Sequence, residues 1–438
     1  MQQVDLIVRG EVLVMATGGT AEQTSWCKDG AVAIKDGVVQ ASGPYVDISS
    51  VYEAADIHHR KSGLIIPGLI NAHTHAAMAL FRGMADDLPL KNWLEEHIFP
   101  AEASLTPELV ALGTELACAE MIRCGTTGFV DMYLFEDTVA ETTSRVGMRA
   151  WVGEGVFDFP SPAFANGKEA LAETERMISK WQGHDLITVT VDPHTPYTCS
   201  TELLEMSRAL SVRTGAMVVT HLAETRWEDS EIRRRHGMSP VAYLDHLGLL
   251  NNQLLAVHCV VLDDHDINIM AKRGVRIVHC PESNLKLGSG VAPVWKFIRS
   301  GIMTVLGTDG AASNNDLDLL GEMDSAAKLP KGVMEDPELV SASQALAMST
   351  SWAADALGRH DLGRLEPGCQ ADIAVIDLNQ AHLRPCYNPV SQVVYAARGG
   401  DVQDVMVNGR FLMKDRKLLT IDEDGLLRKV EEAHRRWI

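Results

Sequence analysis

The sequence is short of aromatic residues (5%), has no Cys-x-x-Cys pair, and carries 39 basic residues against 59 acidic ones. The charge deficit is the most restrictive of these. A formal charge of −20 argues against nucleic acid or an anionic membrane surface as partner, because phosphate contacts need clustered Lys and Arg. No apolar stretch has the length of a membrane span, and Met1 to Gly10, with Asp5 and Arg9, lacks the apolar core of a signal peptide. The eight cysteines are Cys27, Cys118, Cys124, Cys199, Cys259, Cys280, Cys369 and Cys386. Unpaired in spacing and often set in apolar segments, they read as free thiols in a reducing compartment. The expected location is the cytoplasm. There is no low-complexity tract.

What is present is an ordinary globular composition, 46% hydrophobic and 22% charged, spread over 438 residues. That length suits a large barrel with a smaller second domain. Residues 4–14 read as one or two strands, and Ala31 to Gly43 as a hairpin turning at Asp36-Gly37. Near residue 64 the rhythm changes to short apolar strands alternating with helical patterns, the mark of parallel β/α units. Eight strands are expected: Leu64–Ala72, Thr127–Met132, Ala150–Val156, Ile187–Asp192, Met217–Thr220, Leu254–Val257, Val275–Val278 and Met303–Gly307. Helices fall between them, such as Thr106–Cys124, with a Thr cap and a first-turn proline, and Ala170–Trp181. After about residue 365 the β rhythm returns, with Asn408-Gly409 as a hairpin turn, and Glu423 to Ile438 closes as an amphipathic helix with Leu426, Leu427 and Val430 inward. The reading is an α/β fold, a (β/α)8 TIM-like barrel over 63–367. A discontinuous β-sandwich is expected from 1–62 and 368–438, the latter including the C-terminal helix.

Within that pattern one stretch stands out. The apolar run Leu64 to Ile66 leads into Pro67-Gly68-Leu69-Ile70-Asn71-Ala72-His73-Thr74-His75. Residues i and i+2 of a strand share a face, so His73 and His75 present two imidazoles side by side. A lone His-x-His is more often an ordinary pair of strand histidines. Here the other expected strands also end in polar groups: the fourth in His194, the fifth in His221, the sixth in His258, the seventh in His279 and the eighth in Asp309. A random scatter of 16 histidines would not favour strand ends so consistently, and the C-terminal ends of barrel strands are where chemistry gathers. His73, His75, His221 and Asp309 form a ligand set for one divalent metal, with zinc expected and iron or manganese as alternatives. Glu224, three residues after His221, is placed to act as general acid. His258 is placed to hold the attacking hydroxide or a developing oxyanion.

These residues resemble the amidohydrolase superfamily, in particular its mononuclear 5'-methylthioadenosine/S-adenosylhomocysteine deaminase group. The resemblance runs over nearly the whole chain. Its motifs are Pro67 to His75, Leu80-Phe81-Arg82-Gly83-Met84-Ala85-Asp86-Asp87-Leu88, Trp93-Leu94, Pro193-His194-Thr195-Pro196-Tyr197 and His221-Leu222-Ala223-Glu224-Thr225. Ala256-Val257-His258-Cys259, Ser283-Asn284-Leu285-Lys286-Leu287 and Gly307 to Asn315 complete them. The expected fourth strand carries no lysine of the kind that bridges two metals in binuclear relatives, so one metal is expected.

The resemblance implies a metal-dependent aminohydrolase acting on an adenine nucleoside, with Glu224, His258 and Asp309 catalytic. It implies that Glu102 grips the ribose hydroxyls and His194 meets the purine edge, with Trp93 and Glu224 also against the substrate. Members that take S-adenosylhomocysteine place arginines after strand three for its carboxylate. This chain has Glu154 there and Lys168 further on, which favours 5'-methylthioadenosine and adenosine. Aminohydrolase or chlorohydrolase action on guanine, a pterin or an s-triazine is the alternative, and a scaffold that has lost its metal is a third reading. A small-molecule substrate is the expected partner, with self-association left open.

Overall fold

The computed structural model describes residues 1–15 and 24–437. The chain opens in β structure: β1 (Gln2–Met15), β2 (Ser25–Lys28), β3 (Gly30–Lys35), β4 (Val38–Pro44) and β5 (Tyr52–Pro67). β1 is one long strand. β3 and β4 pair antiparallel across Asp36-Gly37, both at positive φ (52° and 77°), the backbone a two-residue hairpin turn requires.

The barrel strands follow: β6 (Leu69–Thr74), β7 (Thr126–Tyr133), β8 (Arg149–Val156), β9 (Ile187–Val189), β10 (Asp192–Pro193), β11 (Val218–Leu222), β12 (Leu254–His258), β13 (Arg276–His279) and β14 (Thr304–Leu306). Every pairing among them is parallel. β9 and β10 are two pieces of the expected fourth strand, which gives eight staves. Backbone bonds close the ring at both seams, Val191 N–H to Met217 O (2.9 Å) on one side and Asp309 N–H to His73 O (3.0 Å) on the other. An apolar cluster draws Ile70, Val130, Trp151, Val219, Leu255, Val278 and Val305 from seven of the eight staves, all but the fourth. The helix Ser351–Ala356 adds Ala353 and Ala354 to it.

Several of the helices between strands start where the sequence supplies caps. Thr106 Oγ1 accepts from Leu109 N–H ahead of helix Pro107–Arg123, and Asn166 caps Gly167–Lys180.

The last strands, β15 (Ile373–Asp377), β16 (Val402–Val407), β17 (Arg410–Lys414) and β18 (Lys417–Leu418), rejoin the first five in one nine-stranded sheet, ordered β18-β17-β16-β15-β5-β1-β3-β4 with β2 on β1. That sheet has a core of its own, built from Leu6, Val8, Val32, Ile34, Ile65, Ile373 and Met406. The expected first barrel strand, 64–72, divides: Leu64 to Pro67 pair with β15 in this sheet, and only Leu69 onward belongs to the ring. In the C-terminal helix Glu423–His434, Leu426 is buried but Leu427 is 48% exposed, so Leu427 does not face inward. All eight cysteines are free. No helix among the described residues is long and apolar enough to cross a membrane.

Candidate active site

His73 lies in β6 and His75 one residue past its end, while His221 sits in β11. The ligand atoms of these three histidines fall within 4.8 Å of one another. His221 Nε2 is 3.2 Å from His73 Nε2, and Asp309 Oδ1 is 3.2 Å from His75 Nε2 and 3.6 Å from His73 Nε2. Ligands ~2.0–2.2 Å from one zinc at tetrahedral angles lie about 3.4 Å apart, so these spacings fit a shared ion. The far sides of the rings agree. His75 Nδ1 is held by Met132 O, and His221 Nδ1 lies 2.8 Å from His194 O. A carbonyl only accepts, so both Nδ1 atoms carry a proton, and in the neutral ring each Nε2 turns a lone pair inward.

The electrostatics point the same way. Burial, and then the neighbouring imidazoles, push His73 and His221 well below the usual histidine range. Burial opposes a charge on His75 too, yet the Asp309 carboxylate outweighs it and raises His75 to about 9. Asp309 is held well below its usual value by His75 despite burial. The set therefore asks for a positive charge at its centre, which a divalent ion supplies. Ser283 Oγ donates to Asp309 Oδ2 at 2.7 Å and Gly310 N–H to Oδ1 at 2.7 Å, fixing the carboxylate. Asp131 Oδ1 takes Thr74 Oγ1 and Ala76 N–H, both at 2.6 Å, and so braces the two residues flanking His75.

Above the cluster opens a cavity of about 410 Å³, lined by His75, His221, Asp309, His258, Glu224, His194, Glu102, Trp93, Met78, Tyr133, Phe157 and Phe159 among others. All the expected substrate contacts are thus on one wall or another of this space. Burial raises Glu224, whose Oε1 accepts from Ser289 Oγ at 2.9 Å and whose Oε2 lies 3.8 Å from His258 Nε2. Its backbone is clamped: Glu228 Oε1 and Oε2 accept the N–H groups of Ala223 (2.9 Å) and Glu224 (2.8 Å), with Ala223 at φ +50°. Burial lifts Glu228 to about 8 against those two bonds. Glu102 accepts from Tyr133 Oη at 2.7 Å, and burial raises it to about 7. His194 Nδ1 is 3.0 Å from Thr198 Oγ1, and burial lowers it to about 3. Trp93 is buried, with its indole N–H donating to Ala85 O at 3.1 Å. His279, though at a strand end, does not reach the cavity.

Two expectations about the wall after β8 are overturned. Glu154 is buried, and its carboxylate accepts the N–H groups of Phe135 (3.1 Å) and Glu136 (2.8 Å) at the start of the preceding helix, Glu136–Val146. Lys168 is exposed and paired with Glu202 at 2.6 Å. Neither faces the substrate space. Phe157, Phe159, Pro160 and Pro162 line it there instead. A second chamber of about 640 Å³ shares Leu90, Leu94, Phe99, Phe159 and Tyr197 with the first and adds Lys91, Arg226 and Arg235. Ser283, Asn284, Ser289 and Glu228 are the functional supports that sequence reasoning left without a role. The signal available was position: Glu228 follows Glu224 by four residues, and Ser283 to Leu287 is one of the motifs that carry the family resemblance.

The amidohydrolase family profile matches residues 64–412. The chain belongs to the amidohydrolase family. Within it, the 5-methylthioadenosine/S-adenosylhomocysteine deaminase of Syntrophobacter fumaroxidans is 48% identical over 426 residues, 97% of this chain and 96% of its own length. The 5'-deoxyadenosine deaminase of Methanothermobacter thermautotrophicus is 41% identical over 96% of this chain and 97% of its own. The crystal structure of an adenosine deaminase from Xanthomonas campestris with bound zinc superposes with a TM-score of 0.97 at 38% identity, covering 100% of this chain and 99% of that one.

Proposed function

We propose that this amidohydrolase is a zinc-dependent deaminase of adenine nucleosides, releasing ammonia and the inosine analogue. The observation that carries the reading is the convergence of three Nε2 atoms and Asp309 Oδ1 under a cavity that also holds Glu224 and Glu102. The deaminase names of relatives more than 40% identical over nearly the full length support it, as does the zinc in the Xanthomonas protein.

His73, His75, His221 and Asp309 would hold one zinc ion. Bound zinc supplies a hydroxide nucleophile at neutral pH, by lowering the pKa of water from ~15.7 toward ~7. Asp309 takes the proton that water gives up and passes it to the departing amino group. Glu224, whose pKa burial raises, delivers a proton to the neighbouring ring nitrogen as the C6–O bond forms. His258 donates a hydrogen bond to the attacking oxygen. The C6–N bond then breaks, ammonia leaves, and the proton of the C6 hydroxyl returns to Glu224 as the carbonyl forms. Glu102 accepts from the ribose hydroxyls, His194 meets the purine edge, and Trp93 packs against the base.

The substrate order favours 5'-methylthioadenosine and adenosine, on a ground other than Glu154. Phe157 and Phe159 stack at 4.4 Å and Phe99 lies 5.7 Å from Phe159, an aromatic wall suited to a methylthio group. S-adenosylhomocysteine is the further candidate, its tail reaching the second chamber, where Arg226 and Arg235 are placed to meet its carboxylate. The domain division, with the 62/63 boundary moved past Pro67 to follow the strand pairing and the later one at 367/368, and a cytoplasmic location belong to the same proposal. The test is ammonia release by the zinc-loaded protein from these three nucleosides, 5'-deoxyadenosine, guanine, a pterin and an s-triazine. Activity confined to guanine, pterins or triazines would refute it.

A further inference from the structure

His258 occupies an unusual backbone position. It and Cys259 both take positive φ (73° and 52°) at the end of β12, a conformation that costs energy for residues with a side chain and persists only where surroundings enforce it. The ring lies nearly parallel to that of His221, centroids 5.4 Å apart at 17°. Its Nε2 looks toward Glu224 Oε2, 3.8 Å away. Its Nδ1 is 2.9 Å from Asn284 Nδ2.

Asn284 is itself buried, on the short helix Pro281–Lys286. Two backbone bonds hold it, from its N–H to Cys280 O (3.0 Å) and from Ser289 N–H to its carbonyl (2.9 Å). The preceding residue, Ser283, fixes Asp309, and Lys286 anchors the helix to Asp86 at 2.6 Å and to Ala312 O at 3.2 Å. The helix is thus tied down on several sides and meets the active site through two adjacent side chains.

An amide nitrogen has hydrogens to give and no lone pair to accept with. Opposite it, Nδ1 of a neutral imidazole must be the acceptor, which leaves the ring's one proton on Nε2. That proton faces the cavity, with Glu224 Oε2 3.8 Å away. The opposite tautomer would turn a lone pair toward the attacking oxygen and repel it.

We propose that Asn284 is a positioning residue that sets the tautomer of His258, keeping Nε2–H aimed at the nucleophile. The inference rests on the reading of His258 as hydrogen-bond donor in the deaminase reaction. Asn284 touches no substrate; it acts through the imidazole, as outer-shell partners of metal-site histidines do.

The test uses the zinc-loaded full chain labelled with ¹⁵N-histidine. Two- and three-bond ¹H–¹⁵N correlations report which ring nitrogen carries the proton, and the His258 signals are assigned by their loss in His258→Gln. The wild-type ring is expected as the Nε2–H tautomer. In Asn284→Asp the carboxylate accepts from Nδ1–H, so the proton appears on Nδ1. The kcat on 5'-methylthioadenosine should then fall about 10–100-fold with KM changed less than about threefold, the size of effect typical of second-layer partners. A wild-type ring protonated only on Nδ1 would overturn the proposal. So would Asn284→Asp with Nε2–H retained and kcat unaltered. Because the tautomer is read without turnover, a protein that shows Nε2–H yet deaminates no adenine nucleoside would count against the deaminase assignment and not against the place of the proton.

Discussion

Glu228 accepts the backbone N–H of Glu224 at 2.8 Å and that of Ala223 at 2.9 Å, one with each carboxylate oxygen. The side chain of Glu224 can approach a purine ring only from the loop geometry this clamp imposes, which includes a left-handed Ala223. Glu228→Gln keeps one acceptor and turns an amide N–H against the other backbone N–H. Leaving a buried donor unpaired costs about 1–3 kcal/mol. The expected outcome is a fall in kcat of about 10–100-fold, that energy expressed in the barrier, with a lowered Tm. Steady-state kinetics with thermal unfolding would check it; wild-type values for both would show that the clamp does not aim Glu224.

Metal uptake should release a proton. Without a cation, the Asp309 carboxylate raises His75 to about 9, so near pH 7 that ring is charged and must lose its proton to become a ligand. The sign follows directly. Protons compete with the ion below the pKa, so apparent zinc affinity should rise roughly tenfold per pH unit up to about 9 and then level off. Calorimetry at pH 7 in buffers of different ionisation enthalpy should give about one proton released per zinc. Chelator treatment should abolish ammonia release, and zinc should restore it. Asp309→Asn should lose turnover and also the steep pH dependence of binding, because the carboxylate that charges His75 is gone.

The proposed metal ligands were legible in the sequence because two periodicities coincide there. The period-2 spacing of His73 and His75 and the β/α alternation that puts His221 and Asp309 at later strand ends are local signals that one sequence carries. Glu154 was not legible in the same way. A carboxylate after the third strand looks free to meet substrate, and only the fold reveals that the N–H groups of Phe135 and Glu136 capture it. The division of Leu64–Ala72 between sheet and barrel was hidden for a related reason. Both halves are equally apolar, and which strand each pairs with is decided by β15, some three hundred residues later. Asn284 and Ser283 could be seen as a motif, but their partners, His258 and Asp309, each lie 26 residues away.

Glu102 should impose a pH limb on nucleoside binding. Burial raises its carboxyl to about 7, while the hydroxyl of Tyr133 pulls it back down. Only the ionised form accepts from two ribose hydroxyls, so KM for adenosine should fall as pH rises through about 7. Tyr133→Phe removes the bond that favours ionisation and should move this limb to higher pH. Glu102→Ala should weaken nucleosides far more than free adenine-like bases. An identical loss for both would take the ribose role away from Glu102.

A stability change with the opposite sense is expected in the barrel wall. Asp192 is fully buried; neither carboxylate oxygen meets a donor in good hydrogen-bond geometry, though the Thr190 hydroxyl lies close enough to pull its pKa down in part. The carboxyl packs flat against Gly153, where an added Cβ would come within 2.2 Å of Asp192 Cγ. Burial, then the neighbouring Asp131 and Glu154, raise its pKa well above the usual value. An acid whose pKa is higher folded than unfolded binds more protons in the folded state. Stability is therefore greatest below the unfolded value of ~3.9 and declines as pH rises past it. Asp192→Asn keeps the planar shape that Gly153 admits and removes the ionisation. The variant should gain stability at pH 8, and its Tm should depend less on pH between 5 and 8 (about 2–4 °C per kcal/mol for domains of 150–250 residues). Differential scanning calorimetry across that range decides it; a variant less stable than the wild type at pH 8 would mean that the charged carboxylate has a partner, such as an ordered water, that the amide cannot replace.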